Sequence, residues 1–329
     1  MTEHGELAGL VAEAFNVGQS LRGLRLGAPS SLETWRLETA DGSFFIKRLW
    51  RTEAPAWLLE LRAAMEFERL ASEAGIAMPR PIPPTDSRLG LAVELPGHGV
   101  FRAYEWVDGR AVTSDDDLSD WLGSTLAQIH RLKPCPGAVQ PDWYGLYPAD
   151  QWTALFDTAA AQGKAWAALG HRTVPDIAAL SNRILTVFRR AGDPVRTHSD
   201  IEPWNVLMTD HGPILVDWET GGIDSATLQA AQAAHAFGRA RRTLAVYEDA
   251  GGRLADLGED LLMRRAGLRL CRLHARIESA LIADTNDQGI PDRLNGLSEF
   301  ARDLNDRAIR PKHSRRLSPA ITFKSVLTG

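Results

Sequence analysis

The stretch Arg196-Thr197-His198-Ser199-Asp200-Ile201-Glu202-Pro203-Trp204-Asn205, followed by Ile214-Leu215-Val216-Asp217-Trp218-Glu219, holds residue types that could carry out phosphoryl transfer. Asp200 supplies a carboxylate. Asn205 supplies an amide, and Asp217 lies twelve residues further on. Such chemistry needs one group to orient and deprotonate a hydroxyl, and others to hold Mg²⁺ on the phosphates of ATP. Mg²⁺ takes hard oxygen ligands, few from protein and the rest from phosphate and water. One amide oxygen (Asn205) and one carboxylate (Asp217) meet that demand, while Asp200 would hold the acceptor hydroxyl in line and accept its proton. The competing reading makes Asp200 a turn cap. His198 reads as structural, an imidazole that bonds backbone carbonyls and holds the loop.

These residues need elements to position them. Val206-Leu207-Met208 and Pro213 to Val216 read as a hairpin around the turn Thr209-Asp210-His211-Gly212, so Asn205 and Asp217 would flank neighbouring strands. Earlier in the chain, residues 5–16 look like a short amphipathic helix. Leu32 to Thr39 alternates like a half-buried strand, Asp41-Gly42 turns the chain, and Ser43 to Leu49 returns. A long helix is expected over 56–74, stopped by Gly75 and by Pro79, Pro81, Pro83 and Pro84. Leu91 to Leu95 and Val100 to Trp106 are further strand-like runs. Past Val107-Asp108-Gly109 the pattern is helical, over Asp117 to Leu132 and then about 150–161, 174–191, 225–248, 256–283 and 292–308.

Lys47 interrupts the apolar run Phe44-Phe45-Ile46, on the strand face away from Ile46. It is either an ordinary edge charge or a phosphate-binding lysine paired with a glutamate of the next helix, Glu66 or Glu68. The turn that contains Ser30 and Ser31 would cover phosphates with backbone amides, although it has one glycine and no GxGxxG. Tyr104-Glu105-Trp106 would offer backbone groups to an adenine edge. An edge strand that runs into a linker would look the same.

The bulk numbers are those of a globular chain. At 329 residues the length suggests two domains, with 44% hydrophobic and 24% charged residues. A net charge of −5 argues against general nucleic-acid binding. Cys135 and Cys271 are far apart, which fits neither a disulfide framework nor a zinc site. The chain starts without a signal-peptide pattern and has no long apolar run, so a cytoplasmic protein with no membrane partner is expected.

In order along residues 20–245, the chain resembles the aminoglycoside phosphotransferase family, within the protein-kinase-like fold that includes choline kinases. The resemblance rests on Phe45-Ile46-Lys47, Glu66 before Gly75-Ile76-Ala77-Met78-Pro79, Tyr104-Glu105-Trp106-Val107-Asp108-Gly109, Leu122 to His130, His198 to Asn205 and Val216-Asp217-Trp218-Glu219. It implies an α+β, two-lobed fold: a nucleotide-binding lobe over 1–106 built of an antiparallel sheet with one large helix, a mostly helical lobe over 107–309 that carries the catalytic loop and the acceptor site, and a basic tail over 310–329. It also implies ATP and Mg²⁺, with Asp200 as base, Asn205 and Asp217 on the metal, and Lys47, Glu66, Ser30, Ser31, Glu105 and Trp106 on the nucleotide. Spacing to Pro79 selects Glu66 over Glu68.

The acceptor would be the hydroxyl of a small molecule, such as a cationic antibiotic. A metabolic amino alcohol, sugar or nucleoside is the alternative, and a nucleotide-binding pseudokinase is the reading from another class. Trp143, Tyr144, Trp152 and Trp166 could enclose an acceptor or be core. Two departures from the family stand out. Glu202 occupies a position that is usually basic or imidazole, where it would either acidify the mouth near Asp200 or point to solvent. After Asp224, Ser225-Ala226-Thr227 stands where Pro and then Asp are usual.

Overall fold

The computed structural model describes residues 3–26, 33–49, 55–137 and 139–309. Ser30, Ser31 and the tail 310–329 lie outside the described residues. The chain opens with helix α1 (Glu3–Phe15). It continues through β1 (Ser20–Leu26), β2 (Glu33–Thr39), β3 (Gly42–Leu49), helix α2 (Pro55–Glu73), β4 (Pro81–Ile82), β5 (Val93–Leu95), β6 (Gly99–Glu105), β7 (Arg110–Ala111) and helix α3 (Ser119–Leu132). Strands β1, β2, β3, β6 and β4 pair in that order, and β5 pairs with β6, all antiparallel.

Strand alternation gives this sheet two apolar faces. Phe44, Ile46, Phe101 and Ala103 pack with Val11, Ala12 and Phe15 of α1. Leu49 and Val100 face the other way and pack with Leu61 and Met65 of α2. Side chains of one parity share a face, so Lys47 on β3 and Arg102 on β6 project to the α2 side. The ladder sets these two residues directly opposite each other. The helix ends where expected, and Gly75 at φ +81 lets the chain turn away.

The rest of the chain runs through α4 (Ala149–Ala161), α5 (Ala167–Ala191), β8 (Pro194–Thr197), β9 (Val206–Thr209), β10 (Gly212–Leu215), β11 (Gly222–Ser225), α6 (Ala226–Ala236), α7 (Ala240–Asp249), α8 (Met263–Ile282) and α9 (Gly289–Ile309). The hairpin read from residues 206–216 is β9 and β10. Strands β8 and β11 also pair, but no short turn joins them in sequence to announce them. The helix expected from 174 starts at Ala167 and runs through Pro175. The single helix expected over 225–248 is two, broken at Gly238 with φ +84. The helix expected from 256 begins as a 3₁₀ turn, Gly258–Leu262, before α8.

The chain forms two compact units, one of residues 1–139 with 193–254 and one of residues 140–192 with the chain from 255 onward. The lobe boundary expected at residue 106 falls inside the first unit. That unit has a second core around Phe67, Leu122, Leu126, Val206, Leu215 and Trp218. In the other unit, Tyr144, Trp152 and Trp166 are buried, which makes them core residues, while Trp143 is half-buried. Among the described residues, no helix is long and apolar enough to cross a membrane.

Candidate active site

Two short antiparallel pairs fold the catalytic stretch. β8 against β11 sets Thr197 opposite Gly222, and β9 against β10 sets Val206 opposite Leu215. The Val216 N–H donates to the Asn205 carbonyl at 2.9 Å, which carries the second ladder one step further. Asp217 follows at once. Ser199 (φ +64) and Asp217 (φ +70) both occupy the left-handed region, at a cost of about 1–2 kcal/mol each for residues with a Cβ. Tertiary bonds hold them there. Thr220 Oγ1 donates to the His198 carbonyl at 3.0 Å, and Trp218 Nε1 donates to the Leu215 carbonyl at 3.0 Å.

His198 lies fully buried between these segments, edge-on to Trp218. Its Nε2–H donates to the Val216 carbonyl (2.8 Å), and Nδ1 accepts from the Asp200 N–H (3.3 Å). This pattern requires the neutral Nε2–H tautomer. Burial lowers the pKa of the ring to about 4, so the ring stays neutral near pH 7. The expected loop-holding role of His198 is what the geometry shows.

A 3₁₀ turn, Pro203–Asn205, brings Asn205 back onto Asp200. The amide Nδ2 donates to the Asp200 carbonyl at 2.8 Å and to Asp200 Oδ2 at 2.7 Å. A flipped amide would set oxygen against oxygen, so this assignment stands. Asp200 Oδ1 and the Asn205 amide oxygen take no part in these two bonds. Glu202 does not point to solvent: it is buried, and Oε1 accepts from Gln232 Nε2 of α6 at 3.2 Å. The departure at Ser225 is a helix cap, since Ser225 Oγ accepts from the Leu228 N–H at 3.2 Å.

Lys47 is buried, and its Nζ donates to Glu219 Oε2 at 2.9 Å and also to Asp217. Burial favours the neutral amine, but the carboxylates of Glu219 and Asp217 outweigh it and raise the lysine on balance. Two carboxylates share this one ammonium. Burial, together with repulsion from Glu219, lifts Asp217 well above the usual carboxylate range. Glu219 is held well below the usual carboxylate range: burial opposes its charge, but Lys47 and Arg102 outweigh it.

The glutamate expected opposite Lys47 needs correction. Glu66 has a side chain 51% exposed and pairs with Arg69 one turn along. Residues two apart on a helix face different ways. Glu68 turns inward, on the stripe of Leu61, Ala64, Met65 and Ala71. Its partner is Arg102, not Lys47. Glu68 is the alternative that spacing to Pro79 passes over, and Arg102 and Glu219 do not figure among the sequence candidates. The helical period marks Glu68, and the alternation that puts Lys47 inward also puts Arg102 inward.

At the expected hinge, the Glu105 N–H donates to the Arg80 carbonyl (2.9 Å) and the Trp106 N–H to the Ser43 carbonyl (3.1 Å). Neither donor is left for an adenine edge. The Glu105 side chain pairs with Arg80, while Trp106 bonds Asp108 and lies under the Arg36 guanidinium. Both residues brace the strand end.

The model of the phosphotransferase enzyme family matches residues 23–268, from the sheet through the catalytic stretch and into α8. The chain belongs to the phosphotransferase enzyme family. No curated protein matches it in sequence. Solved structures that share its fold include spectinomycin phosphotransferase in complex with ADP and spectinomycin. That match has a TM-score of 0.52 at 16% identity and covers 91% of this chain and 93% of the other. Amicoumacin kinase in complex with AMP-PNP, Ca²⁺ and its ligand gives 0.58 at 15% identity, covering 93% and 94%. A putative fructosamine-3-kinase from Thermobifida fusca gives 0.54 at 19% identity, covering 92% and 99%. The fold is therefore α+β and kinase-like.

For a member of this family, the donor set suits a hard divalent cation. Asp217 and Glu219 crowd negative charge around one lysine, and the Asn205 amide oxygen lies on the adjoining strand end. Among the described residues, no three His, Cys, Asp or Glu side chains form a metal cage. Asp217 and Asn205 are the candidate ligands from the protein.

Proposed function

We propose that this protein is an ATP- and Mg²⁺-dependent phosphotransferase that moves the γ-phosphoryl group to a hydroxyl of a small molecule. The observation that carries the reading is the Asn205 amide donating to Asp200 Oδ2 at 2.7 Å, with Lys47 on Asp217 beside it. Asp200 would orient the acceptor hydroxyl through Oδ1 and receive its proton. The acceptor oxygen bonds to the γ-phosphorus as the bond to the leaving ADP oxygen breaks. Lys47 would turn from its carboxylates to the phosphates. Mg²⁺, when held by Asp217 and Asn205, supplies charge neutralisation on the phosphate oxygens. Positioning and electrostatics account for most of such catalysis. A pseudokinase role fits less well, since Lys47, Asp200, Asn205 and Asp217 are all present and the structure holds each in contact with another part of the site.

For the acceptor we favour a cationic, hydroxyl-bearing small molecule, such as a cationic antibiotic or an amino alcohol, over a neutral sugar or nucleoside. Trp204 is 63% exposed and adjoins Asn205 in the turn that holds Asp200. An open indole near a carboxylate attracts amines. A cytoplasmic setting accords with ATP use and with the free thiols of Cys135 and Cys271. The test is ATP consumption over a panel of aminoglycosides, cyclic basic peptides, macrolides, nucleosides and amino alcohols. Acceptor-dependent ADP release with a cationic member is expected. No turnover on any hydroxyl compound, despite nucleotide binding, would favour the pseudokinase.

A further inference from the structure

We propose that Arg102 is a positioning residue for nucleotide binding: it takes the α2 glutamate and steadies Glu219, so that Lys47 remains available to the phosphates. The inference rests on the phosphotransferase reading above. Its starting point is the ladder, which sets Arg102 directly across from Lys47 on the same sheet face. Arg102 is fully buried and so is Glu68, and the two form an ion pair through Nη2. Arg102 Nη1 lies 3.5 Å from Glu219 Oε1, and the guanidinium stacks over the Tyr104 ring at 4.9 Å. The Tyr104 hydroxyl donates to Glu219 Oε1 at 3.3 Å. Glu219 therefore lies between two cations, with Oε2 on Lys47 and Oε1 towards Arg102.

Charge counting shows what Arg102 does. The cluster holds three acidic side chains, Glu68, Asp217 and Glu219, and two basic ones, Lys47 and Arg102. A buried carboxylate needs a cation or a proton. Without Arg102, Glu68 and Glu219 would both turn to Lys47, the one remaining cation of the cluster. A lysine bound by three carboxylates is a poor phosphate ligand. With Arg102 in place, Glu68 is satisfied away from Lys47, and Lys47 has only the carboxylates at the strand end to leave. Buried ion pairs seldom stabilise a fold more than an apolar replacement does, so a role in placing charge is the better account of this one. Arginine suits it because one planar group can reach two carboxylates at once.

The test is calorimetric binding of AMP-PNP with Mg²⁺ to the full chain, without acceptor, alongside melting temperatures. Arg102→Met is expected to raise the dissociation constant at least about tenfold, because three carboxylates then compete for Lys47. Adding Glu68→Gln to that variant should bring it back within about threefold, since a competing charge is gone. A merely structural arginine would lower the melting temperature and leave the dissociation constant unchanged, which would overturn the inference while the phosphotransferase reading stands. Weakening that Glu68→Gln does not reverse also contradicts it. If Arg102→Met does not fold, Glu68→Gln alone decides. Near-normal binding supports the inference, and a tenfold loss shows that Glu68 serves Lys47 directly. An unmodified protein that fails to bind the Mg²⁺ nucleotide overturns both readings.

Discussion

Asn205 donates one amide nitrogen to two oxygens of Asp200, the backbone carbonyl at 2.8 Å and the carboxylate at 2.7 Å. The residue proposed to hold the metal is thus also the one that orients the proposed base. Position and charge placement in this site are coupled through a single side chain.

Asn205→Ala should therefore do more than weaken the metal. Losing a group that both positions and polarises costs about 10²–10³-fold in rate. The expected outcome is a kcat lower by about that factor, together with a rise in the Mg²⁺ concentration for half-maximal rate. Rates measured across a Mg²⁺ titration separate the two effects. A variant that merely needs more Mg²⁺, with kcat restored at saturation, would show that the bond to Asp200 is dispensable.

His198 gives a pH prediction with a definite sign. Its folded pKa is lowered to about 4 by burial, whereas an unfolded histidine titrates near 6.5. Between these values the unfolded chain binds the extra proton, so stability rises with pH. The contribution is complete above about pH 6.5 and is lost as pH falls towards 4, by about 3 kcal/mol in all. Asn in place of His198 removes that titration. Urea unfolding of both proteins from pH 4.5 to 7.5 should give a flatter profile for His198→Asn, with shared carboxylate effects cancelling in the difference. Parallel profiles would mean that the ring is not buried and neutral.

Trp204 tests the acceptor side. Its side chain is 63% exposed, so Trp204→Ala should shift stability by no more than about 0.5 kcal/mol. If the indole receives an amine-bearing acceptor, the acceptor KM should rise about tenfold, in line with a loss of roughly 1–2 kcal/mol of cation–π contact. The KM for ATP should stay the same. Equal changes in both constants would place the effect in the loop rather than at the acceptor.

Much of this site was legible in the sequence because its parts are local. The turn before Gly212 announces the hairpin, and the hairpin fixes Asn205 next to Val216. Lys47 stood out as a charge in an apolar strand. What was missed depends on tertiary pairing or on which rule is given priority. Spacing to Pro79 selects Glu66, whereas the period of Leu61, Ala64, Met65 and Ala71 points to Glu68. Arg102 looks like one more charge in a strand until the ladder sets it across from Lys47. The bonding of Glu105 and Trp106 N–H to Arg80 and Ser43 joins segments distant in sequence, so no local pattern reveals it. Strands β8 and β11 are four residues each and exist because each has the other to pair with.

The central claim is that Asp200 is the base of a phosphoryl transfer. Asp200→Asn preserves the shape of the turn but cannot accept the proton. The decisive measurement is acceptor-dependent phosphotransfer by this variant, with Mg²⁺–ATP affinity determined on the same preparation. The account predicts a rate lower by about 10³-fold, with nucleotide affinity within about threefold of the unmodified protein. Full phosphotransfer by Asp200→Asn would contradict it.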